Sequence, residues 1–437
     1  MGISTPMIQN LVNGQRGEIS REIFVNEDIY QQERERVFGR AWLYIGHESQ
    51  VKEPGDFVLS RMGEESVIMT RDRAGAVQVM LNSCRHRGMR VCRYDEGHTE
   101  KFYCPYHGWA YNLDGALSHV TEFDTEYKRQ DFKWEEWGLI KVAKIAILQG
   151  TIWATWDPKA DFDAYLGNAR QMIDLSFRAW DGEGEVEVIG TTQKWIIPSN
   201  WKIVAENFAG DMLHVVSHRS VDIVGIGPNK AAGRRDASSS GNSSYVQASY
   251  PEGHAGVIGL FDKDDPRPDY SASPATAEYF QRCYAKRKKA LGNEAFISPA
   301  VGSIFPNMSF HGNQPRTILV GHPIGVDKTE LWRQYFVDKD APDEVKAFLR
   351  SYYIKYSGPA GLTEQDDMEN WNYATNASKG YMARKFPYNY AAGMGYETSV
   401  DELPGAVSAI KGSSESNARA YYNRWSQYMD DSHVVFK

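Results

Sequence analysis

CRHRGMRVCRYDEGHTEKFYCPYHGW, residues 84–109, contains two short loops that each pair a cysteine with a histidine. The first loop has Cys84 and His86; after 17 intervening residues the second has Cys104 and His107. Two thiolates and two imidazoles are the ligands of a Rieske [2Fe–2S] cluster, in which the cysteines hold one iron and the histidines hold the other. Neutral imidazoles raise the reduction potential, so such a cluster can accept an electron and pass it on.

A structural zinc site would use the same four residue types. Zinc sites of this composition usually place both cysteines in one loop and both histidines in another. Here each loop carries one of each, and a glycine, Gly88 or Gly108, stands at the turn. The mixed loops therefore favour the iron–sulfur cluster over zinc.

Composition narrows the class of protein. The chain has 437 residues, a net charge of −8 and four cysteines, of which Cys92 and Cys283 are left as ordinary thiols. We expect two or three domains, no membrane span and no nucleic-acid partner. The N-terminal stretch lacks a basic region followed by an apolar run, so we expect no secretion signal. Reduced cysteines then suggest a cytoplasmic protein.

The hydrophobic pattern predicts an α+β fold made of two parts. Residues 38–157 show short alternating runs broken by Gly and Pro, which is typical of a small all-β domain that carries the cluster loops. Residues 158–437 mix helical and strand patterns, and residues 1–37 are interpreted as the N-terminal part of the same larger domain. Four strands and one amphipathic helix are predicted, at 56–60, 66–70, 77–82, 150–156 and 28–38 respectively.

Three further segments have simpler interpretations. Residues 228–273 are rich in Gly, Ser, Asn, Asp and Pro and predict long loops. The basic run 286–289 predicts the solvated face of a helix. The stretch 225–230 begins like a dinucleotide loop but lacks the third glycine, so we expect reducing equivalents to come from other proteins.

A second group of metal-binding residue types follows in the segment NWKIVAENFAGDMLHVVSH, residues 200–218. If the segment is mostly helical, Asn207, Asp211, His214 and His218 follow at steps of 4, 3 and 4 and share one face. Two histidines four residues apart can bind one metal ion, although such pairs are often plain surface histidines.

A third ligand is available in the acidic run of residues 364–369, which contains Glu364, Asp366, Asp367 and Glu369. Two histidines and one carboxylate form the facial triad of non-haem Fe(II) oxygenases. An acidic run is otherwise a solvated helix start. Beside a cluster that supplies electrons, the oxygenase interpretation becomes the more specific one.

Over nearly its whole length the chain resembles the α (large, catalytic) subunits of Rieske non-haem iron aromatic ring-hydroxylating dioxygenases, the naphthalene and biphenyl dioxygenase group. The resemblance rests on both cluster loops, on the segment 206–211 with its following histidines, and on Gly358-Pro-Ala-Gly leading to Glu-Gln-Asp-Asp. It implies a Rieske domain inserted in a larger α+β catalytic domain built on an antiparallel sheet with helices. It also implies that the chain cis-dihydroxylates an aromatic ring with O2.

The resemblance assigns roles to individual residues. It implies a [2Fe–2S] cluster on Cys84, His86, Cys104 and His107, and a mononuclear Fe(II) on His214, His218 and Asp367, the second Asp of the pair. Asn207 lies near that iron. Candidates for the substrate pocket are Phe208, Leu213, Val215, Leu362 and Thr363.

The resemblance also implies partners. Electrons come from NADH through a reductase and a ferredoxin. Asp211 connects His214 to the cluster ligand His107 of the partner subunit, so a ring of three α subunits is implied, completed by small β subunits as an α3β3 hexamer. The arginines of the cluster loops, Arg85, Arg87, Arg90 and Arg93, are either a docking surface for an acidic ferredoxin or plain surface charge.

One feature departs from the family. Three residues separate His214 from His218, whereas four or five separate the equivalent histidines in many relatives. Two other functions remain open. A Rieske monooxygenase or demethylase acting on an aromatic acid or amine would share every metal ligand. An electron-transfer Rieske protein without mononuclear iron would leave residues 158–437 without a purpose.

Overall fold

The computed structural model describes residues 10–224, 244–261, 270–313, 315–409, 413–430 and 435. Contacts divide the chain into two units. One is Gly39–Ala160, and the other combines Met1–Phe38 with Asp161–Lys437. Among the described helices, none is both long and apolar enough to cross a membrane.

The described strands are numbered in chain order. They are β1 Val12–Asn13, β2 Glu18–Ile19, β3 Leu43–His47, β4 Asp56–Met62, β5 Glu65–Arg71, β6 Val77–Leu81, β7 Glu96–His98, β8 Phe102–Tyr103, β9 Ala110–Tyr111, β10 Leu117–His119, β11 Lys144–Leu148, β12 Thr151–Thr155, β13 Val186–Val188, β14 Gln193–Ile197, β15 Tyr245–Ser249, β16 Ala255–Leu260, β17 Ile297–Ile304, β18 Met308–His311, β19 Thr317–Gly325, β20 Lys328–Asp338, β21 Tyr388–Asn389, β22 Glu397–Ser399 and β23 Val407–Ala409.

The described α-helices are numbered in the same way. They are α1 Glu22–Val25, α2 Glu27–Arg36, α3 Phe123–Glu126, α4 Phe162–Leu166, α5 Arg170–Ser176, α6 Trp201–Phe208, α7 Arg219–Val224, α8 Pro274–Leu291, α9 Asp343–Tyr356, α10 Leu362–Ser378 and α11 Ser416–Asp430. Short 3₁₀ helices include Leu213–His218, which joins α6 to α7.

The smaller unit consists of small antiparallel sheets. Its strands pair in the orders β6-β5-β4-β7, β10-β9-β8 and β11-β12-β3. The first cluster loop follows β6, and the second is the tip of the β8–β9 hairpin, where Tyr103 pairs with Ala110. Because Phe57, Ile68, Phe102 and Trp109 form one apolar core with the two loop cysteines, both loops are fixed on packed strands.

The larger unit is built on an antiparallel sheet with the strand order β13-β20-β19-β18-β17-β16-β15-β23-β22, and β14 also pairs with β20. Helix α6 packs against β17, β18 and β19, and α10 packs against α6, α7 and the 3₁₀ helix that joins them. This contact brings the two segments that carry the predicted iron ligands together on one side of the sheet.

Most local predictions are confirmed. The four predicted strands lie on β4, β5, β6 and β12, and the predicted helix is α2. The prediction of long loops over 228–273 is wrong between Tyr245 and Leu260, where β15 and β16 pair. Residues 228–243 and 262–269 lie outside the described part of the chain, as does the stretch 225–230.

The basic run is on a helix, α8, but its interpretation as a wholly solvated face is wrong. Lys286, Lys288 and Lys289 are exposed, whereas Arg287 is buried. Its guanidinium lies 4.9 Å from the ring centre of Trp180. Burial lowers the pKa of Arg287 to about 10. The position therefore belongs to the core of the unit.

A buried ion pair connects three helices of the larger unit. Glu33 of α2 binds Lys202 of α6 at 2.6 Å, with both side chains fully buried. The indole N–H groups of Trp201 and Trp425 donate to the same carboxylate at 2.9 and 2.7 Å. Because every partner is satisfied, removing one leaves a charge buried without compensation.

Glu33→Ala is therefore expected to lower the free energy of unfolding by about 3 to 5 kcal/mol, because Lys202 loses its only carboxylate partner among the described residues. The measurement is denaturant unfolding of the larger unit. The control is Glu35→Ala on the exposed face of α2, with an expected change of roughly 0.5 kcal/mol or less. Equal, small effects of both substitutions would contradict the prediction.

Candidate functional site

The two cluster loops have matching backbone geometry. In each, the cysteine N–H donates to the carbonyl of the residue five positions on, and a glycine N–H donates back to the cysteine carbonyl. The four distances are 2.8 Å for Cys84 N–Met89 O, 2.8 Å for Gly88 N–Cys84 O, 2.8 Å for Cys104 N–Trp109 O and 3.0 Å for Gly108 N–Cys104 O. Gly88 and Gly108 have φ of 72° and 74°, a left-handed conformation that side chains other than glycine rarely adopt.

The side chains of the two cysteines and two histidines lie close together, and they differ in solvent exposure. Cys84 and Cys104 are buried within the apolar core, at 3% and 2% exposure. His86 and His107 are partly exposed, and their ring centres are 4.5 Å apart. Trp109 stacks on His86 at 5.1 Å. The cysteines therefore form the inner half of the group and the histidines the outer half.

The chemistry of these side chains fits a cationic cluster. Nδ1 of His86 is buried and has no hydrogen-bond partner among the described residues. Burial, together with the charges of His107 and Arg87, lowers the pKa of His86, which favours the neutral imidazole that metals bind. Burial and the neighbouring Cys84 raise the pKa of the Cys104 thiol. Two buried thiolates need a metal cation to offset their charge.

A tyrosine that the sequence analysis did not single out supports the first loop. The hydroxyl of Tyr111 lies 3.2 Å from Sγ of Cys84 and accepts from the backbone N–H of Arg85 at 3.1 Å. When Cys84 is a thiolate, the tyrosine O–H donates to the sulfur, and hydrogen bonds to cluster sulfurs tune the reduction potential. No local pattern marks this residue, because its role depends on strand pairing.

The second group does not lie on one continuous helix, so that prediction is wrong. Helix α6 ends at Phe208, and Gly210 has φ of 121°. Asn417 donates to the carbonyl of Ala209 at 2.6 Å, and Gln247 donates to the carbonyl of Gly210. These contacts with distant parts of the chain stabilise the break, and the chain resumes as a 3₁₀ helix.

Asp211 begins the new turn. Its carboxylate accepts from the N–H groups of Leu213 at 2.9 Å and His214 at 3.3 Å. Within the 3₁₀ helix, Nε2 of His214 and Nε2 of His218 face each other at 3.1 Å. The break therefore still lets the two imidazoles converge, with three residues between them.

Asp367 completes this group from helix α10. Its Oδ1 lies 3.4 Å from Nε2 of His214 and 3.4 Å from Nε2 of His218. One ligand atom from each of the three residues lies within 4.8 Å of the others. Oδ1 is buried and accepts no hydrogen bond from the described residues. Two imidazole nitrogens and an unsatisfied carboxylate oxygen that face one point fit a bound cation.

The surroundings of Asp367 favour its protonated form unless a cation is present. Burial raises the pKa of Asp367 well above its ordinary value, and the negative charges of Glu364 and Asp366 raise it further. A divalent metal ion reverses this balance because it stabilises the ionised carboxylate.

The two imidazoles are oriented by groups behind them. Asp366 Oδ2 lies 3.4 Å from Nδ1 of His218 and accepts from the hydroxyl of Ser220 at 2.6 Å. Nδ1 of His214 contacts the backbone carbonyl of Asp211, whose carboxylate Oδ2 is 3.6 Å away. A metal-binding histidine usually donates its other N–H in this way. Asp366 is thus placed to orient His218, whereas Asp367 faces the position that a metal ion would occupy between the two histidines.

A buried ion pair holds the helix that carries Asp367. Glu364, one turn earlier on α10, pairs with Arg333 of β20 at 2.5 Å and accepts from the backbone N–H of Gly358. Arg333 also donates to the hydroxyl of Thr317 at 2.6 Å and lies over the ring of Phe208. Arg333 was missed from sequence because nothing in its own strand marks it as the partner of a distant acid.

A cavity of about 260 Å³ adjoins the histidines. Its lining includes Ile203, Glu206, Asn207, Asp211, His214 and Trp371. The five residues predicted for a substrate pocket do not belong to this lining. Phe208 and Thr363 are buried, Leu213 is 47% exposed, and Val215 and Leu362 are half-buried. Phe208 packs against Trp371 and His311 instead.

Comparisons with known proteins agree with this arrangement of two centres. Residues 41–132 match the Rieske [2Fe–2S] domain family, and residues 162–431 match the catalytic domain of the ring-hydroxylating α subunits. The biphenyl dioxygenase α subunit of Metapseudomonas furukawaii is 36% identical, with 97% of this chain and 93% of the relative aligned. The benzene 1,2-dioxygenase α subunit of Pseudomonas putida is also 36% identical, with 97% and 94% aligned.

Solved structures show the same relationship. Naphthalene 1,2-dioxygenase from Rhodococcus sp., bound to indole, is similar with a TM-score of 0.83 and 30% identity, and the match covers 97% of each chain. A quaternary ammonium Rieske monooxygenase is similar with a TM-score of 0.68, but at 14% identity it shares only the fold.

Asp367→Ala is expected to remove the mononuclear iron and leave the electron paramagnetic resonance signal of the reduced cluster intact. Asp366→Ala is expected to reduce iron affinity by roughly 10- to 100-fold, because Asp366 orients a ligand but does not face the centre. Iron per chain is the measurement. Glu369→Ala, exposed on the same helix, is the control and should retain full iron. Loss of iron from Asp366→Ala but not from Asp367→Ala would reverse the assignment.

Proposed function

This chain belongs to the family of ring-hydroxylating dioxygenase α subunits, and we propose that the residues described above divide its reaction between two centres. It is a terminal oxygenase that receives electrons from a ferredoxin and reductase chain and uses O2 to cis-dihydroxylate an aromatic ring. The observation that carries this conclusion is the presence, in one chain, of mixed Cys/His loops and of two imidazoles that converge with a buried carboxylate.

In this proposal Cys84, Cys104, His86 and His107 hold the Rieske cluster. His214, His218 and Asp367 hold the mononuclear Fe(II). When bound, the cluster supplies electrons, and the iron supplies open positions at which O2 reacts beside the substrate. The remaining residues position these ligands, set their charge and shape the space around them.

The different solvent exposure of the cysteines and histidines in the cluster loops indicates where electrons enter. The buried cysteines are shielded, whereas the histidines lie at the surface of the small unit. Arg87, Arg90 and Arg93 are exposed beside them. Arg85 instead donates to the backbone carbonyl of Gly138 at 3.2 Å. We therefore propose that the three exposed arginines dock an acidic ferredoxin and that Arg85 stabilises the loop.

Asp211 is proposed to connect the centres of two subunits. Its side chain remains 36% exposed while it contacts His214, so one face stays available to His107 of the partner subunit. Head-to-tail contacts of this kind close into a ring. We propose a ring of three α subunits, completed by three small β subunits and located in the cytoplasm, with domains at 1–37, 38–157 and 158–437.

The substrate is proposed to be an apolar arene. The relatives are named for biphenyl, benzene and naphthalene, and the region beside the histidines is rich in aromatic side chains such as Phe208 and Trp371. The residues proposed for the pocket are Phe208, Leu213, Val215, Leu362 and Thr363, and Asn207 is proposed to lie near the iron. These residues place the ring and limit access of water; they carry no charge that would select an aromatic acid.

The reaction is tested by supplying purified oxygenase with a reductase, a ferredoxin, NADH and ¹⁸O₂, together with a panel of arenes. The expected product is a cis-dihydrodiol in which both oxygen atoms are labelled, as mass spectrometry would show. A singly labelled alcohol or a dealkylated product would instead establish a monooxygenase or demethylase.

Asp211→Asn is expected to keep both metals but to block electron transfer between the centres. The amide oxygen can still accept from the backbone N–H groups that Asp211 binds, so the local turn is preserved while the negative charge is lost. In a single turnover with reduced cluster, substrate and O2, the cluster should stay reduced. The control is Asp327→Asn, which alters a surface ion pair with Lys379. Normal cluster oxidation in Asp211→Asn would refute this path.

A further inference from the structure

Glu206 lies in the larger unit and is not one of the proposed ligands of the cluster or of the iron. It lies on the last turn of α6, and its Oε2 accepts hydrogen bonds from the hydroxyls of Tyr390, at 2.9 Å, and Tyr422. Both tyrosines come from distant parts of the chain. Its Oε1 accepts no hydrogen bond within the described part of the chain, so the two oxygens of this carboxyl have different surroundings.

The same side chain lines the cavity of about 260 Å³ together with Asn207, Asp211 and His214. That volume has room for several water molecules. Glu206 is thus held by two phenols at Oε2, and it lines the space that also reaches Asp211 and an iron-binding imidazole.

The charges around Glu206 favour a proton on it at neutral pH. Burial raises its pKa, the hydrogen bonds from Tyr422 and Tyr390 lower it, and the charges of Asp211 and Glu415 raise it again, to about 8. The residues of α10 that line the cavity, Asn370, Trp371 and Ala374, add no charge. The charged groups that act most strongly on Glu206, Asp211 and Glu415, are both negative, so they disfavour its ionised form.

The reaction needs protons. An arene, O2, two electrons and two protons together make one cis-dihydrodiol, so a site that admits electrons must also admit protons. We propose that Glu206 is a proton-donating residue of this oxygenase, which transfers a proton from Oε1 through the cavity to the oxygen-reducing site. This inference rests on the proposed function. The O–H bond of the carboxylic acid breaks, the proton passes to cavity water, and solvent later returns a proton to the carboxylate.

The residues around Glu206 affect its loss and recovery of a proton in different ways. Tyr390 and Tyr422 stabilise the carboxylate while it is ionised, because they donate to Oε2. Asp211 opposes that ionised state by its charge, which favours reprotonation before the next turnover.

The protonation state can be measured directly by infrared spectroscopy of the oxidised holoenzyme. The difference between wild type and Glu206→Gln should contain a carboxylic acid carbonyl band at pH 7 that disappears at alkaline pH, with a midpoint above the ordinary pKa of glutamic acid. In Tyr390→Phe that midpoint should move to higher pH, because a donor to the ionised form is lost. Absence of the acid band at pH 7, or an unmoved midpoint in Tyr390→Phe, would overturn the proposal.

The role in turnover is measured in single turnovers with reduced cluster, substrate and O2. Glu206→Gln should retain both metals and substrate binding but form product roughly 10²-fold more slowly, and it should lose the alkaline limb of the wild-type pH profile. Glu206→Asp should restore part of the rate. Glu402→Gln, which changes an exposed carboxyl of the same unit, is the control and should retain the rate.

Product formation by Glu206→Gln at the wild-type rate would overturn the proposal. An equal loss in the Gln and Asp variants, with the wild-type pH profile retained, would also overturn it and indicate a structural role. If instead wild type forms no doubly labelled diol, the proposed function fails, whatever Glu206 does.

Discussion

The burial of an uncompensated carboxylate, Asp367, is the constraint on which the arrangement of the larger unit depends. Because a buried charge is costly, such a carboxyl is either protonated or paired with a cation. Within the described part of the chain, its Oδ1 accepts no hydrogen bond and lies 3.4 Å from two imidazole nitrogens. Helix α10, the 3₁₀ helix and the break after α6 are therefore best understood as parts that bring three metal ligands together.

The cluster loops satisfy the same constraint in a different way. Their thiols are buried and their imidazoles are at the surface, so the charge-bearing sulfurs lie in the apolar core while the neutral ligands face outward. Backbone hydrogen bonds within each loop and a glycine at positive φ fix this geometry locally. The conformation of each cluster loop is thus encoded locally, whereas the iron site of the larger unit needs contacts between segments that are far apart in sequence.

This difference explains what the sequence could predict. Cys84, His86, Cys104 and His107 are evident because their spacing and glycines encode the loops directly. The helix proposed for residues 200–218 was wrong because contacts from Asn417 and Gln247, more than 30 residues away, decide the conformation at Gly210. The side chains that support the iron ligands were missed for the same reason: strand β20 supplies Arg333, and β9 supplies Tyr111 to the other centre.

Three carboxyl groups of similar intrinsic acidity lie on α6 and α10, and their neighbours give them different chemistry. Glu364 has a guanidinium at 2.5 Å and is held as an ion pair that fixes its helix. Oδ1 of Asp367 faces two imidazole nitrogens, so a metal cation is the partner that fits its charge. Glu206 accepts hydrogen bonds from two phenols and its strongest charged neighbours are negative, an environment in which a proton is the compensating charge. The same carboxyl group thus becomes a structural anchor, a metal ligand or an acid, according to which compensating charge the fold supplies.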